Sequence, residues 1–210
     1  MRLELVLLRS GAPAVPSGMT PPARVKALLM DEADMARTLD RLARQVAEEF
    51  DVAGDGERAA LVGLQTRGVH LARRLRDRIE AFEGVRLPLG VLDATFYRDD
   101  VGGFGASARR PGAPPVARET SVPFALDGRL VVLVDDVVYT GRSTRAALDA
   151  LMDMGRPAAV RLLALVDRGL RELPVAPDFV GRTVPTAPGE LVRVRMTEVD
   201  GDDGVWLVEG

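Results

Sequence analysis

Arg129-Leu-Val-Val-Leu-Val-Asp-Asp-Val-Val-Tyr-Thr-Gly-Arg-Ser-Thr-Arg145 is the stretch whose reading decides the fold. Leu130 to Val134 is short, apolar and β-branched, so it reads as a strand buried on both faces. Asp135 and Asp136 follow where such a strand should end. Thr140-Gly141-Arg142-Ser143-Thr144 then runs into Ala146-Ala147-Leu148, which is good helix sequence. A helix start offers unpaired N–H groups and a partial positive charge to a phosphate. The hydroxyls of Thr140, Ser143 and Thr144 add donors. The two carboxylates can accept from ribose hydroxyls or hold a Mg²⁺ through water. The stretch therefore reads as a site for a phosphorylated sugar.

Two further polar turns flank it in the sequence. Upstream, Ala59 to Leu64 reads as a strand and Val69 to Phe82 as a helix, joined by Gln65-Thr66-Arg67-Gly68. A glycine, a hydroxyl and a guanidinium meet there, and the planar fork of an arginine suits a pyrophosphate. Downstream, Gly155 and Pro157 close the helix Arg142 to Met154. Ala158 to Val166 is the next apolar strand, and it ends in Asp167-Arg168-Gly169. Alternating strands and helices predict a mainly parallel sheet flanked by helices, with all three polar turns along one edge.

Beyond this centre, Asp31 to Phe50 predicts an amphipathic helix with Met35, Leu39, Leu42, Val46 and Phe50 on one stripe. Arg37, Arg41 and Arg44 form a second stripe, a solvated face or a surface that tracks phosphates. Arg86 to Thr95 and Val122 to Leu126 read as strands. Val101 to Arg118, rich in Gly, Pro, Ala and Arg, reads as a lid over the site, with a tolerated surface insertion as the alternative. The expected organisation is a disordered N-terminal extension over 1–25 and a single domain over 26–210, with the lid at about 96–120. Leu191 to Met196 and Gly204 to Glu209 are expected to pair near the end of the chain.

Composition narrows the function classes. A net charge of -3 excludes a protein that is basic all over, so any contact with nucleic acid must be a local patch. There is no cysteine, hence no disulfide framework and no thiolate metal site, and a cytoplasmic location is expected. No apolar run is long enough to span a bilayer. A single histidine, His70, leaves little room for a histidine metal cluster. Neither G-x-x-x-x-G-K-[ST] nor G-x-G-x-x-G occurs at a strand-to-helix turn.

Val132 through Thr144 instead resembles the phosphoribosyl-diphosphate (PRPP) signature of the type I phosphoribosyltransferases. Leu61 through Gly68, Thr95 through Asp100, Gly155-Arg156-Pro157 and Leu165 through Pro174 are similar to the PyrR family within them. That family combines a pyrimidine-operon attenuation regulator with a uracil phosphoribosyltransferase. The resemblance implies the type I fold, with a small hood and a flexible lid loop. It also implies transfer of the phosphoribosyl group of PRPP to uracil, giving UMP and pyrophosphate with Mg²⁺. The implied catalytic residues are Asp135, Asp136 and Arg98. Thr66, Arg67, Val137, Val138, Tyr139, Thr140, Gly141, Arg142, Ser143, Thr144 and Arg168 complete the implied PRPP and nucleotide site. The Thr66-Arg67 loop would carry a non-proline cis peptide.

Asp178 and Val180, in a hood formed by Asp178 to Gly181 and the C-terminal strands, are expected near the base. Purine enzymes of this type commonly place an Asp before the Thr-Gly turn, and here that residue is Tyr139, which points to a pyrimidine. The resemblance further implies binding of UMP or UTP and of a pyr mRNA leader stem-loop. Arg41, Arg44 and Arg171 would make the RNA contacts, on a homodimer or higher even oligomer. Asp40 and Ala176 depart from the family pattern at that surface. An RNA-binding nucleotide sensor with little enzymatic role and a phosphoribosyltransferase for another base are the alternatives.

Overall fold

The computed structural model describes residues 24–55, 58–97 and 120–210. In chain order they form β1 (Val25–Met30), α1 (Glu32–Glu49), α2 (Val52–Asp55), β2 (Ala59–Leu64), α3 (Arg67–Glu83), β3 (Leu89–Leu92), β4 (Leu130–Val138), α4 (Arg142–Met154), β5 (Ala159–Asp167), β6 (Phe179–Thr183), β7 (Glu190–Arg195), α5 (Thr197–Asp200) and β8 (Gly204–Glu209).

The central sheet is parallel, in the order β3-β2-β4-β5-β6. Side-chain alternation along its strands builds two cores. Leu61, Val132, Val134, Leu163 and Leu165 face α1 and α3, where they meet Met35, Leu39, Leu42, Val46, Leu71, Leu75 and Ile79. Val62, Leu64, Val131, Leu133, Leu162 and Ala164 face α4, where they meet Ala146, Ala147, Ala150 and Leu151. Each such large side chain contributes about 1.5–3 kcal/mol on burial. That is why a run with no polar interruption, such as Leu130 to Val134, settles in the middle of the sheet.

A second, antiparallel sheet, β1-β8-β7, forms the hood. β1 has no counterpart in the sequence reading. Its pattern is weak, and its partner β8 lies at the other end of the chain. Asp178 to Gly181 does not belong to the hood. Phe179 and Val180 pair with Leu163 and Ala164, which makes β6 an edge of the central sheet.

Three other expectations are corrected. β4 does not end before the carboxylates, because Val137 and Val138 pair with Val166 and Asp167 and carry the strand through Asp135 and Asp136. Val122 to Leu126 forms no strand; Pro123 lacks an N–H for a ladder, and only Ser121 makes a bridge, to Val91. Gly155 is extended (φ 165°) rather than left-handed, and its role is close approach, since a Cβ there would lie 3.0 Å from the Leu126 Cβ.

The expected extension over 1–25 and the lid at 96–120 fall almost wholly outside the described residues, although Val25 already belongs to β1. Among the described residues, no helix is long and apolar enough to cross a membrane.

Candidate active site

The chain leaves β2 for β3 on one side and returns to β4 on the other. In open parallel sheets, ligands bind at such a reversal, outside the carboxyl ends of the strands. Two turns stand there: Gln65-Thr66 after β2 and Tyr139-Thr140-Gly141 after β4.

Glycines allow the first turn to sit down on the second strand. A Cβ at Gly68 would lie 2.3 Å from the Val134 carbonyl oxygen, and one at Gly63 would lie 2.5 Å from the Val69 Cα. No other residue permits α3 to start so close to β4. The Gln65–Thr66 peptide is cis.

Both helices that begin at the crevice lack a side-chain cap. Thr66 makes no capping bond to α3, and Gly141, left-handed at φ 92°, makes none to α4. Neither first turn carries an acidic residue. By contrast, α1 starts with a complete Asp31–Asp34 capping box and has Glu32 and Asp34 in its first turn. Helix starts with no N-cap bond and no acid keep most of their N–H groups and the positive dipole end for an anion.

The second turn is held from below. The Thr140 carbonyl accepts from Glu172 N at 3.0 Å and Leu173 N at 3.1 Å, and its hydroxyl oxygen accepts from Arg142 N at 3.3 Å. Arg142 Nε donates to Glu172 at 2.7 Å. Thr144 is buried and Ser143 half-buried. Asp135 and Asp136 are half-buried, with Oδ1 of each accepting the next residue's N–H, at 2.9 and 3.0 Å.

Arg168 closes the edge after β5. It is 4% exposed, and burial pushes its guanidinium below the ordinary arginine value, while Tyr139 and Glu190 oppose that shift. Nε donates to Thr186 Oγ1 at 3.1 Å and Nη2 to the Glu190 carbonyl at 2.6 Å. Its guanidinium carbon stands 4.1 Å from the centre of the Tyr139 ring.

Residues 66, 67, 135–144 and 168 are thus brought to one edge. Asp178 and Val180 are not. Asp178 lies just before the amino end of β6, its carboxylate accepting from Leu162 N at 2.8 Å, and Val180 is in mid-strand beside Ala164. Arg98 lies outside the described residues.

The three proposed RNA contacts separate. Arg41 and Arg44 are exposed on α1. There, Arg41 donates to the carbonyls of Val180 (3.2 Å) and Gly181 (2.6 Å), and Arg44 stacks 4.8 Å over Phe82. Arg171 is a strut of the crevice instead, bonded to the carbonyls of Tyr139 (2.8 Å) and Val175 (2.9 Å) and paired with Asp167 at 2.8 Å.

The structure adds residues that the sequence reading did not single out. Thr186 holds Arg168, and Asp200 holds Arg67 through Nε at 3.1 Å and Nη2 at 2.8 Å. Arg193 and Asp200 share a cavity of about 230 Å³ with Arg67 and Asp136. A signal for part of this was present: Glu198, Asp200, Asp202 and Asp203 crowd one short stretch, opposite the arginine-rich α3.

The Phosphoribosyl transferase domain family matches residues 29–198. The chain is 51% identical over 190 residues to the Bifunctional protein PyrR of Thermus aquaticus, covering 89% of this chain and 99% of that one. It is 47% identical over 187 residues to the Bifunctional protein PyrR of Pelotomaculum thermopropionicum, covering 89% and 98%. Among solved structures, it is similar to a hypoxanthine phosphoribosyltransferase from Staphylococcus aureus, with TM-score 0.63 and 16% identity over 88% of this chain and 92% of that one. It is likewise similar to the hypoxanthine phosphoribosyltransferase of Trypanosoma cruzi, with TM-score 0.64 and 16% identity over 88% and 97%. At that identity the structural likeness speaks for the fold alone. The chain belongs to the phosphoribosyl transferase domain family and, within it, to the PyrR proteins.

Proposed function

We propose that this chain transfers the phosphoribosyl group of PRPP to uracil, releasing pyrophosphate and forming UMP, and that it also regulates pyrimidine genes by binding their mRNA when uridine nucleotides are bound. The observation that carries the first half is the pair of uncapped helix starts on either side of Asp135 and Asp136 at the sheet's reversal point. Similarity to proteins named bifunctional PyrR supports both halves.

In this reading, the N–H groups and hydroxyls of Thr140 to Thr144 hold the 5-phosphate, and Thr66-Arg67 hold the pyrophosphate. Asp135 and Asp136 accept from the ribose hydroxyls. As the bond to pyrophosphate lengthens, positive charge builds on the ribose ring, and two carboxylates nearby favour that charge. Uracil sits towards Arg168 and Tyr139. Tyr139 carries no carboxylate for a purine.

Among the described residues, no group of three or more acidic or histidine side chains could cage a metal. Asp135 and Asp136 fit the other mode, in which Mg²⁺ keeps its waters and is held by one or two carboxylates and the substrate's phosphates. Bound there, Mg²⁺ would neutralise the departing pyrophosphate.

The test is UMP formation from uracil, PRPP and Mg²⁺ by the purified full chain, with hypoxanthine and guanine as competing bases. UMP formation unaffected by the purines supports the reading. No UMP across pH 6–9, or preferential use of a purine, overturns it. Light scattering of the same sample tests the expected homodimer or higher even oligomer.

A further inference from the structure

The guanidinium of Arg67 is not left to find a ligand by itself. Asp200, on the hood, grips it side-on, with Nε 3.1 Å from Oδ2 and Nη2 2.8 and 3.0 Å from Oδ1 and Oδ2. Nη1 has no partner among the described residues.

Asp200 is itself fixed. Oδ2 accepts from Met196 N at 2.9 Å, and the Asp200 carbonyl accepts from Arg195 Nη2 at 2.8 Å. Its carboxylate is mostly buried, with 16% of the side chain exposed. Burial works to raise its pKa, but the hydrogen bonds from Arg67 and Met196 N, with the charges of Arg67 and Arg195, outweigh this and hold it below the usual carboxylate range. The pair lines one cavity with Asp136 and Arg193. Arg193 is exposed and has no ion-pair or hydrogen-bond partner among the described residues.

We infer that Asp200 is a positioning residue for the pyrophosphate end of the site: it locks Arg67 side-on, so that the Nη1 edge is presented to an inorganic or substrate-borne pyrophosphate in the cavity. This rests on the phosphoribosyl-transfer reading above. An arginine side chain has several freely rotating bonds, and ordering it on a ligand costs affinity. A fixed carboxylate does that ordering beforehand. Asp200 stays on Arg67 rather than yielding it, because release would leave a mostly buried carboxylate without its cation. The cavity lining carries Arg67, Arg193 and Arg195 against Asp136 and Asp200, so positive charge is in excess, as a polyanion requires.

Titration of the full chain with magnesium pyrophosphate, by calorimetry, tests this without turnover. Asp200→Asn is expected to weaken binding about tenfold, the worth of one well-oriented charge-assisted hydrogen bond. The KM for PRPP should rise in parallel while the KM for uracil stays within twofold. In an Arg67→Gln background, Asp200→Asn should cost nothing more, which a merely structural role would not predict. Asp200→Glu keeps the charge but displaces the guanidinium, and should also weaken pyrophosphate; it serves if the asparagine variant does not fold. Equal or tighter pyrophosphate binding by the Asp200 variants, or additive losses in the double variant, overturns the inference while leaving the activity reading intact. A wild-type chain that neither binds pyrophosphate nor makes UMP overturns both.

Discussion

The guanidinium carbon of Arg168 lies 4.1 Å from the centre of the Tyr139 ring, joining the turn after β4 to the end of β5. Tyr139 is 40% exposed, and Arg168 beneath it is 4% exposed. The ring therefore covers a buried cation, and the cation is held by Thr186 and the Glu190 carbonyl. Arg168 thus ties the hood to the sheet, and under the proposed function the same side chain faces the base.

Tyr139→Ala should remove that cover while Tyr139→Phe keeps it. A cation–π contact of this kind is worth about 0.5–2 kcal/mol. The alanine variant is expected to raise the KM for uracil about fivefold and lower the melting temperature, and the phenylalanine variant should match the parent in both. Loss of uracil affinity in the phenylalanine variant would assign the role to the hydroxyl instead.

Gly68→Ala tests how closely the first turn must sit on β4. The added Cβ would stand 2.3 Å from the Val134 carbonyl oxygen, a backbone atom that cannot swing aside. Forcing a methyl group into such a contact costs about 1–3 kcal/mol. Urea unfolding should show that loss, and kcat/KM for PRPP should fall by at least tenfold as Arg67 moves with the helix start.

A second arginine clamp makes an acid-dependent contribution to stability. Arg74 Nε and Nη2 donate to Glu198 at 2.8 and 2.7 Å, and Nη2 donates to Asp203 at 2.8 Å. Burial pushes both carboxyls up, but hydrogen bonds and charge from Arg74, with backbone N–H groups, hold them below the usual carboxylate range. A folded-state pKa below the unfolded one means stability that is fully present above about pH 4.5 and is lost as pH falls through the depressed folded values. Arg74→Met should cost about 2–3 kcal/mol at pH 7, discounted for the partial exposure of the group. The gap from the parent should narrow in thermal unfolding as pH falls from 5 towards 3. A gap independent of pH would show that packing, not charge, holds this contact.

What could be read from the sequence was what is local. Leu130 to Val134, Ala59 to Leu64 and the stripe from Met35 to Phe50 carry their own periodicity, and Gly141 marks its turn. Tertiary pairings left no such mark. β1 depends on a strand at the far end of the chain, and the Arg67–Asp200 grip depends on how the hood folds over the sheet. Asp178 illustrates the converse. It is expected from sequence near the base, as part of the hood, but the parallel register of β5 and β6 puts it towards the other end of the sheet. The strand direction, which a stretch of sequence does not state, decided that position.

Asp40 gives the sharpest test of the RNA reading. Its carboxylate stands beside Arg41 in sequence, where it would oppose an RNA phosphate, and it accepts from Arg78 Nε at 2.7 Å, which neutralises a cation on the neighbouring α3. A hydroxyl residue at this position would do neither. Asp40→Ser is therefore expected to tighten binding to the leader RNA of the pyrimidine genes and to steepen its salt dependence by about one phosphate's worth of counterion release. The gain should be lost when Arg78→Gln is added, because the freed guanidinium supplies the new contact. Arg44→Ala should weaken binding in both backgrounds, whereas Arg171→Ala should impair UMP formation first, since its guanidinium braces the crevice. Gel shifts with and without UMP at two salt concentrations measure all of these. If Asp40→Ser leaves both affinity and salt slope unchanged, the RNA does not reach the α1 surface.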